Sequence, residues 1–328
     1  ILFIQLNIFV SMKLRFLLVL TVASLILSGC YVENVSSSKN KILVIASDYL
    51  YEHDTLIFSD FAKKENIRII IKHIDTPSLV GEIQGNKYAH GIDLVMMKSL
   101  YNVYNLSRTD LFHSINHIKE KNRALARFMS TEYKYIGIGI DPYVCVSNPD
   151  TTAVISTYND LKNTQFVNTL VEDELIPMLA PLMSKFNKVE SYEWMESVFK
   201  NELPIKEFNT INAQSTPVIL TTFENYSSNF KGDSIFSRYS DLSFPNSSSS
   251  GTFYNMRTAC IIAQAEHFGA ASTFLNFYLL PQNNRRLNDE LKTLPINDSG
   301  RDILLYRVNS DELMQYYSMF KRILNRLK

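Results

Sequence analysis

Lys41–Ile74 reads KILVIASDYLYEHDTLIFSDFAKKENIRIIIKHI. Its first six residues form a compact β-rich run of the kind buried in a parallel sheet. Ser47-Asp48-Tyr49 ends that run, and Asp54–Asn66 then places apolar residues at helical spacing. Ile67–Ile74, IRIIIKHI, is a second strand. Short strand, helix and short strand in close succession are the signature of an α/β fold with a mostly parallel sheet.

The alternation continues through Leu79–Ile83 to a strand at Asp93–Met97. Gly137–Ser147 is an extended β-rich segment, and Phe166–Ile176 has helical spacing, with Pro177 and Pro181 expected to stop or kink the helix. Tyr192–Phe199 reads as helix, Pro217–Thr222 as strand and Asp241–Gly251 as loop. Thr252–Ala263 reads as strand, Gly269–Leu280 as an aromatic-rich helix ended by Pro281, and Asp311–Leu327 as an amphipathic helix. No internal repeat is present.

Upstream, Met12–Cys30 reads MKLRFLLVLTVASLILSGC. Lys13 and Arg15 make a positive head, and Phe16–Leu27 an apolar stretch too short for the ~20 residues of a membrane span, so the segment reads as a signal peptide. Leu27-Ser28-Gly29-Cys30 resembles the lipobox of bacterial lipoproteins, which implies lipidation and a mature N-terminus at Cys30. Met12 opens a complete signal peptide, so residues 1–11 are expected to lie upstream of the start. Tyr31–Asn40, polar and serine-rich, reads as a flexible tether. Each buried methylene of an acyl chain contributes ~0.8 kcal/mol, so two or three chains anchor a protein almost permanently. A tethered domain outside the cytoplasm is suited to capture, hydrolysis, assembly or adhesion.

Composition narrows this further. The chain carries 33 basic and 33 acidic residues, which argues against a nucleic-acid partner. Only 10 glycines are present, against a glycine-rich phosphate loop or a repetitive β-architecture. Cys145 and Cys260 both sit in apolar strand-like runs, where either a disulfide or two buried thiols would fit.

Taken together, these segments resemble the extracellular solute-binding proteins of bacterial ABC importers, and within them the ferric-iron-binding group. The resemblance covers about residues 41–300. It is carried by ASDYLYEHDTLIFSDFAKKENIRIII, HGIDLVMMKS, ARFMSTEYKYIGIGIDPYVCVSN, the Tyr-x-Asp-Leu of STYNDLKNTQF, and SSGTFYNMRTACII with AASTFLNFYLLPQNNRRL behind it. It implies the two-lobed fold of periplasmic binding proteins of type 2, with a hinge between two α/β domains. Lobe 1 is placed at 41–143 plus 252–292 and lobe 2 at 144–251 plus 293–328, after a signal segment at 1–29 and a tether at 30–40. The hinge strands are placed at Pro142–Val146 and Phe253–Ala259, which sets Cys145 and Cys260 on or beside neighbouring strands. Two such lobes rotate as rigid bodies around a ligand, and the ligand's preference for the closed form sets the population.

The resemblance also implies a cargo and a set of ligands. Ferric ion, with a synergistic anion, takes hard anionic oxygens, and the family supplies two adjacent tyrosines just after a lobe 2 strand. Here PVILTTFENYSSNF lacks that pair, and Glu224 and Tyr226 stand near its place as metal ligands. Tyr49 and Tyr51 occupy the first cleft loop, with His53 slightly later. Lys98 follows the Asp93–Met97 strand, Tyr158 belongs to the Tyr-x-Asp-Leu signature, and Asn255 lies on the returning hinge strand. Each has an ordinary structural alternative as a packed tyrosine, an exposed charge or a strand residue.

His113 and His117 have the i, i+4 spacing of metal ligands on one helix face, with Asp110 and Glu120 a turn to either side, although the flanks read as an ordinary surface helix. No Gly-x-Ser-x-Gly, His-Glu-x-x-His or Walker pattern is present, so an enzyme is not expected. The reading is therefore a monomeric, lipid-anchored receptor on the extracytoplasmic face of a bacterial membrane, passing ferric iron or a ferric complex to an inner-membrane ABC permease. Alternatives are a receptor for a polyamine or small organic anion, a hydrolase, and a receptor that has lost its cargo and acts as sensor or adhesin.

Overall fold

The computed structural model describes residues 41–50, 56–85, 91–121, 123–148, 154–185, 188–203, 217–230, 241–296, 303–306, 316, 320 and 322–326. The signal segment, the tether, Cys30, Tyr51 and His53 lie outside these residues. No helix among them is long and apolar enough to cross a membrane.

The opening stretch folds as strand β1 (Lys41–Ser47), helix α1 (Leu56–Glu65) and strand β2 (Ile67–His73), with β1 and β2 parallel and paired from Lys41↔Ile67 to Ser47↔His73. Helix α2 (Thr76–Gly85) leads to β3 (Leu94–Met97), which pairs parallel to the other side of β1 and is followed by helix α3 (Leu100–Ser107). Phe58 and Phe61 of α1 meet Phe274 of helix α7 (Phe268–Tyr278) at ring distances of 5.3 and 5.2 Å. Helices thus cover the sheet whose strands read as continuous apolar runs.

Two long strands join the halves of the sheet. β4 (Ile136–Ser147) pairs antiparallel with β9 (Tyr254–Ile261) from Ile136 to Pro142. From Tyr143 onward it pairs instead with β7 (Val218–Thr222), and from Cys145 with β8 (Asp241–Ser243). β9 in turn pairs with β3. The strand order is β2-β1-β3-β9-β4-β7-β5-β6, with β5 (Phe166–Asn168) and β6 (Glu202–Leu203) parallel at the far edge and β8 branching from β4. One half is therefore β2-β1-β3-β9 with the first part of β4, and the other is the rest of β4 with β5 to β8. The fold is the α/β, two-lobed type.

Several expectations need correction. Phe166–Ile176 is not one helix. Phe166 and Val167 are buried as β5, and helix α5 (Glu172–Lys185) begins after them. Hydrophobic spacing could not separate a three-residue strand from a helix turn. Pro177 and Pro181 lie inside α5 rather than ending it. Both are buried, and packing of α5 against its neighbours maintains a helix that loses two N–H donors.

His113 and His117 do not share a helix face, because helix α4 starts at Asn116 (Asn116–Lys121). The His113 backbone N–H donates to the Ile261 carbonyl at 2.8 Å, its ring lies 4.4 Å from Phe268, and His117 Nε2 is 2.7 Å from Ser272 Oγ. Cys145 and Cys260 are buried free thiols. In the β4–β9 register Cys145 lies beyond the Pro142↔Tyr254 pair and Cys260 beyond the Ile136↔Ala259 pair at the other end, so roughly 30 Å of extended strand separates them.

Helices α6 (Lys188–Lys200) and α7 form where the spacing predicts, and the described C-terminal positions 316, 320 and 322–326 are helical with Phe320, Ile323 and Leu324 buried. Gly251 marks the return into the shared strands. Its φ of +98° and the backbone of Leu305 and Tyr306 against the place of a Cβ leave no room for another residue.

Candidate functional site

The ends of β1 and β3 are tied by Asp48. Its Oδ1 accepts the Lys98 backbone N–H at 2.8 Å, and its Oδ2 accepts the Thr76 hydroxyl at 2.8 Å. Burial raises its pKa, and the Lys98 N–H and Thr76 hydroxyl only partly oppose this. Lys98 is thereby held at the end of β3 and its side chain reaches the other half. Its Nζ lies 2.8 Å from Glu174 Oε1, in the first turn of α5, and 3.8 Å from Glu224 Oε2, just after β7.

Arg257 of β9 completes the bridge. Its Nη2 lies 2.7 Å from Glu224 Oε1, and its guanidinium stacks 4.5 Å from the ring centre of Tyr49. The side chain is only 3% exposed. Glu224 is positioned through its backbone: its N–H donates to Asp141 Oδ1 at 2.8 Å, and the Thr222 side chain caps the turn through Asn225 N–H at 3.2 Å. Glu224 therefore meets Lys98 and Arg257 from the opposite half at one place, where β4 changes partners.

The electrostatics follow from burial. Burial first, then the neighbouring Glu224 charge, push Asp141 up to about 7. Burial pulls Lys98 and Arg257 down, but the adjacent carboxylates outweigh it and both end above their usual values, fully charged. Burial raises the Tyr49 phenol well above its ordinary pKa, so it is a neutral donor. Among the described residues the Tyr49 hydroxyl, the Ser99 hydroxyl, and Nε and Nη1 of Arg257 are buried without a hydrogen-bond partner, as are the acceptor oxygens Asp141 Oδ2 and Glu224 Oε2. Buried donors of this kind call for an acceptor.

The sequence-predicted residues separate into two groups. Tyr49, Lys98 and Glu224 meet in this cluster. Asn255 lies beside it, opposite Asp141 in the β4–β9 register, and its Oδ1 accepts the backbone N–H of Leu100 (3.2 Å) and Met256 (2.9 Å). Tyr158 lies apart. Its hydroxyl donates to the Tyr143 carbonyl (2.8 Å) and accepts from Phe253 N–H (3.2 Å), while its ring stacks 4.6 Å from Phe253. Tyr226 packs, half-buried, on the cluster of Val144, Val146, Val167 and Ile219. No group of three or more His, Cys, Asp or Glu side chains among the described residues is arranged to hold a metal ion.

Asp141, Glu174 and Arg257 were missed in the sequence. Asp141 is a charged residue inside the apolar run GIGIDPYVCV, and Arg257 interrupts YNMRTACII. A lone charge within a strand destined for burial was the available signal for both. Glu174 had none.

No known family profile matches the sequence, and no curated protein matches it. Solved structures do. The chain is similar to the Trichodesmium protein IdiA (FutA) in complex with iron and citrate ligands, with a TM-score of 0.74, 15% identity, and 87% of this chain and 99% of that one covered. It is also similar to the ferric binding protein from Campylobacter jejuni, with a TM-score of 0.71 at 16% identity over 87% and 99%. A third relative is ferric iron-binding protein A of Mannheimia haemolytica in an open conformation, with a TM-score of 0.75 at 12% identity over 88% and 98%. At these identities the likeness establishes the two-lobed binding-protein fold.

Proposed function

We propose that this chain is the solute receptor of an ABC importer, held on the extracytoplasmic face of a bacterial membrane by lipid on Cys30, and that its cargo is an anionic complex of ferric iron bound between the lobes. The lobes are those bounded at 143/144, 251/252 and 292/293. The receptor is non-catalytic and monomeric, and it presents closed, loaded lobes to an inner-membrane permease. Fold alone does not name a cargo. All three relatives are ferric- or iron-binding by name, and citrate accompanies the iron in one of them.

The observation that carries the cargo reading is the Arg257–Lys98 pair. A buried guanidinium with two nitrogens lacking acceptors, an ammonium 35% exposed, and the hydroxyls of Tyr49 and Ser99 make a set of donors suited to a carboxylate-rich ligand. Tyr226, packed on valines, and Glu224, paired to two cations, are poorly placed to coordinate a bare ion, so the iron would arrive within its own anionic shell.

The test is a thermal-melt titration of the soluble domain, with Cys30 removed, against ferric citrate, citrate and spermidine. A rise in melting temperature with ferric citrate alone is the expected result, without a strong tyrosinate-to-iron absorption band. A rise with citrate alone would move the cargo to a small organic anion. A response to none of the three would leave a receptor-like fold acting as a sensor or adhesin.

A further inference from the structure

We propose that Lys98 is a specificity gate, whose ammonium fills the point on which the carboxylates of Glu174 and Glu224 converge, so that the cleft rejects free multivalent cations. This deepens the reading of the cluster as the cargo site and rests on it. The two carboxylates approach one nitrogen at 2.8 and 3.8 Å, from α5 and from the turn after β7. That is the arrangement a hard cation seeks, with oxygen ligands at ~2.0–2.6 Å. Here the point is already taken, and by a residue of the other sheet half.

Lys98 cannot easily leave or lose its charge. Its backbone N–H is fixed to Asp48 Oδ1, and its ammonium is held between the carboxylates of Glu174 and Glu224. A metal ion beside it would face a like charge within about 4 Å. Arg257 meanwhile neutralises only one of the two carboxylates, because its ion pair is with Glu224. Removing Lys98 would therefore leave Glu174 and Glu224 with one uncompensated negative charge facing a common point. The gate explains how a cleft rich in carboxylates would still select cargo by its anionic shell rather than by its metal.

Terbium(III) is a suitable probe, because tyrosine-sensitised luminescence and melting temperature both report its binding. We expect no response from the wild-type soluble domain and terbium binding about tenfold or more tighter in Lys98→Met. Lys98→Arg should retain the exclusion, and Lys98→Met/Glu174→Gln should lose the gain. Circular dichroism on each variant separates a lost site from a lost fold. Wild-type binding as tight as that of Lys98→Met, no gain in a folded Lys98→Met, or a gain that survives Glu174→Gln would each overturn the gate. The ferric citrate titration of the wild type stands apart: its failure would remove the proposed cargo and leave the gate in place.

Discussion

Arg257 and Glu224 form a 2.7 Å ion pair that joins strand β9 of one sheet half to the turn after β7 of the other. The partners are unequal, since Arg257 is 3% exposed and Glu224 22%. Truncating the acid strands a buried guanidinium, which costs far more than the pair itself contributes. Glu224→Ala should lower the unfolding free energy by about 3 kcal/mol in urea denaturation. Arg257→Met/Glu224→Met should lose markedly less, because no lone charge remains. Equal losses would mean that water already solvates Arg257 in the folded protein.

Asp141 gives the cluster a pH dependence. Its folded pKa of about 7 stands above the ordinary 3.8, because of burial first and Glu224 second. A carboxyl raised in this way binds a proton on folding throughout that interval. Its contribution to stability therefore falls as pH rises from about 4 toward 7 and stays low above. Glu202, pushed up to about 7 by burial, adds a slope of the same sign in the same window. Asp141→Asn should remove one of these two contributions, so melting temperatures measured at pH 5 and pH 8 should differ less than in the wild type. An unchanged difference would show that Asp141 titrates as in the unfolded chain.

The contrast between Asp141 and Val44 explains what could be read in advance. KILVIA announced a strand buried on both faces, which must be apolar along its length, and the β-branched run of IRIIIKHI announced a neighbour, which pairs parallel to it as the half-exposed edge strand. The order of strands and helices, and with it the two-lobed fold, follows from such runs. The candidate cluster is built from residues distant in sequence: Lys98, Asp141, Glu174, Glu224 and Arg257 come together only when β4 and β9 cross between the halves. Lys98, Glu224 and Tyr49 were reachable through the resemblance, whereas Glu174 looks like any other acid at a helix start. The Tyr-x-Asp-Leu signature leaves both roles of Tyr158 open, since a tyrosine hydroxyl serves equally well to bind a ligand or to brace two backbones.

Tyr158 is the simplest of the site residues to assign. Its hydroxyl bridges the Tyr143 carbonyl and the Phe253 N–H, where the chain passes between the two halves. Tyr158→Phe leaves both groups without that partner at a buried position and should cost about 1–3 kcal/mol. The ferric citrate response, measured as the shift in melting temperature relative to each unliganded protein, should survive. Loss of the response at unchanged stability would place the hydroxyl in the cargo site instead.

Gly139 controls the same crossover from the other side. It lies in β4, and a Cβ there would collide with Asn288 Oδ1. Asn288, fully buried on helix α8 (Pro281–Glu290), donates to the Ile138 carbonyl at 2.9 Å and to the Asn284 carbonyl at 2.7 Å, and accepts the Thr293 hydroxyl at 2.7 Å. Asn284 donates to the same Ile138 carbonyl at 2.8 Å. The close approach of α8 to β4 thus depends on a residue without a side chain. Gly139→Ala should cost about 2–3 kcal/mol, through overpacking and the displaced hydrogen bonds. Asn288→Ala alone should cost a similar amount, because it strips a buried carbonyl and hydroxyl of a partner. Combining the two removes the collision together with the network, so the double variant should be less destabilised than the sum of the singles. Strict additivity in urea denaturation would mean that Asn288 does not hold the position beside Gly139 in solution.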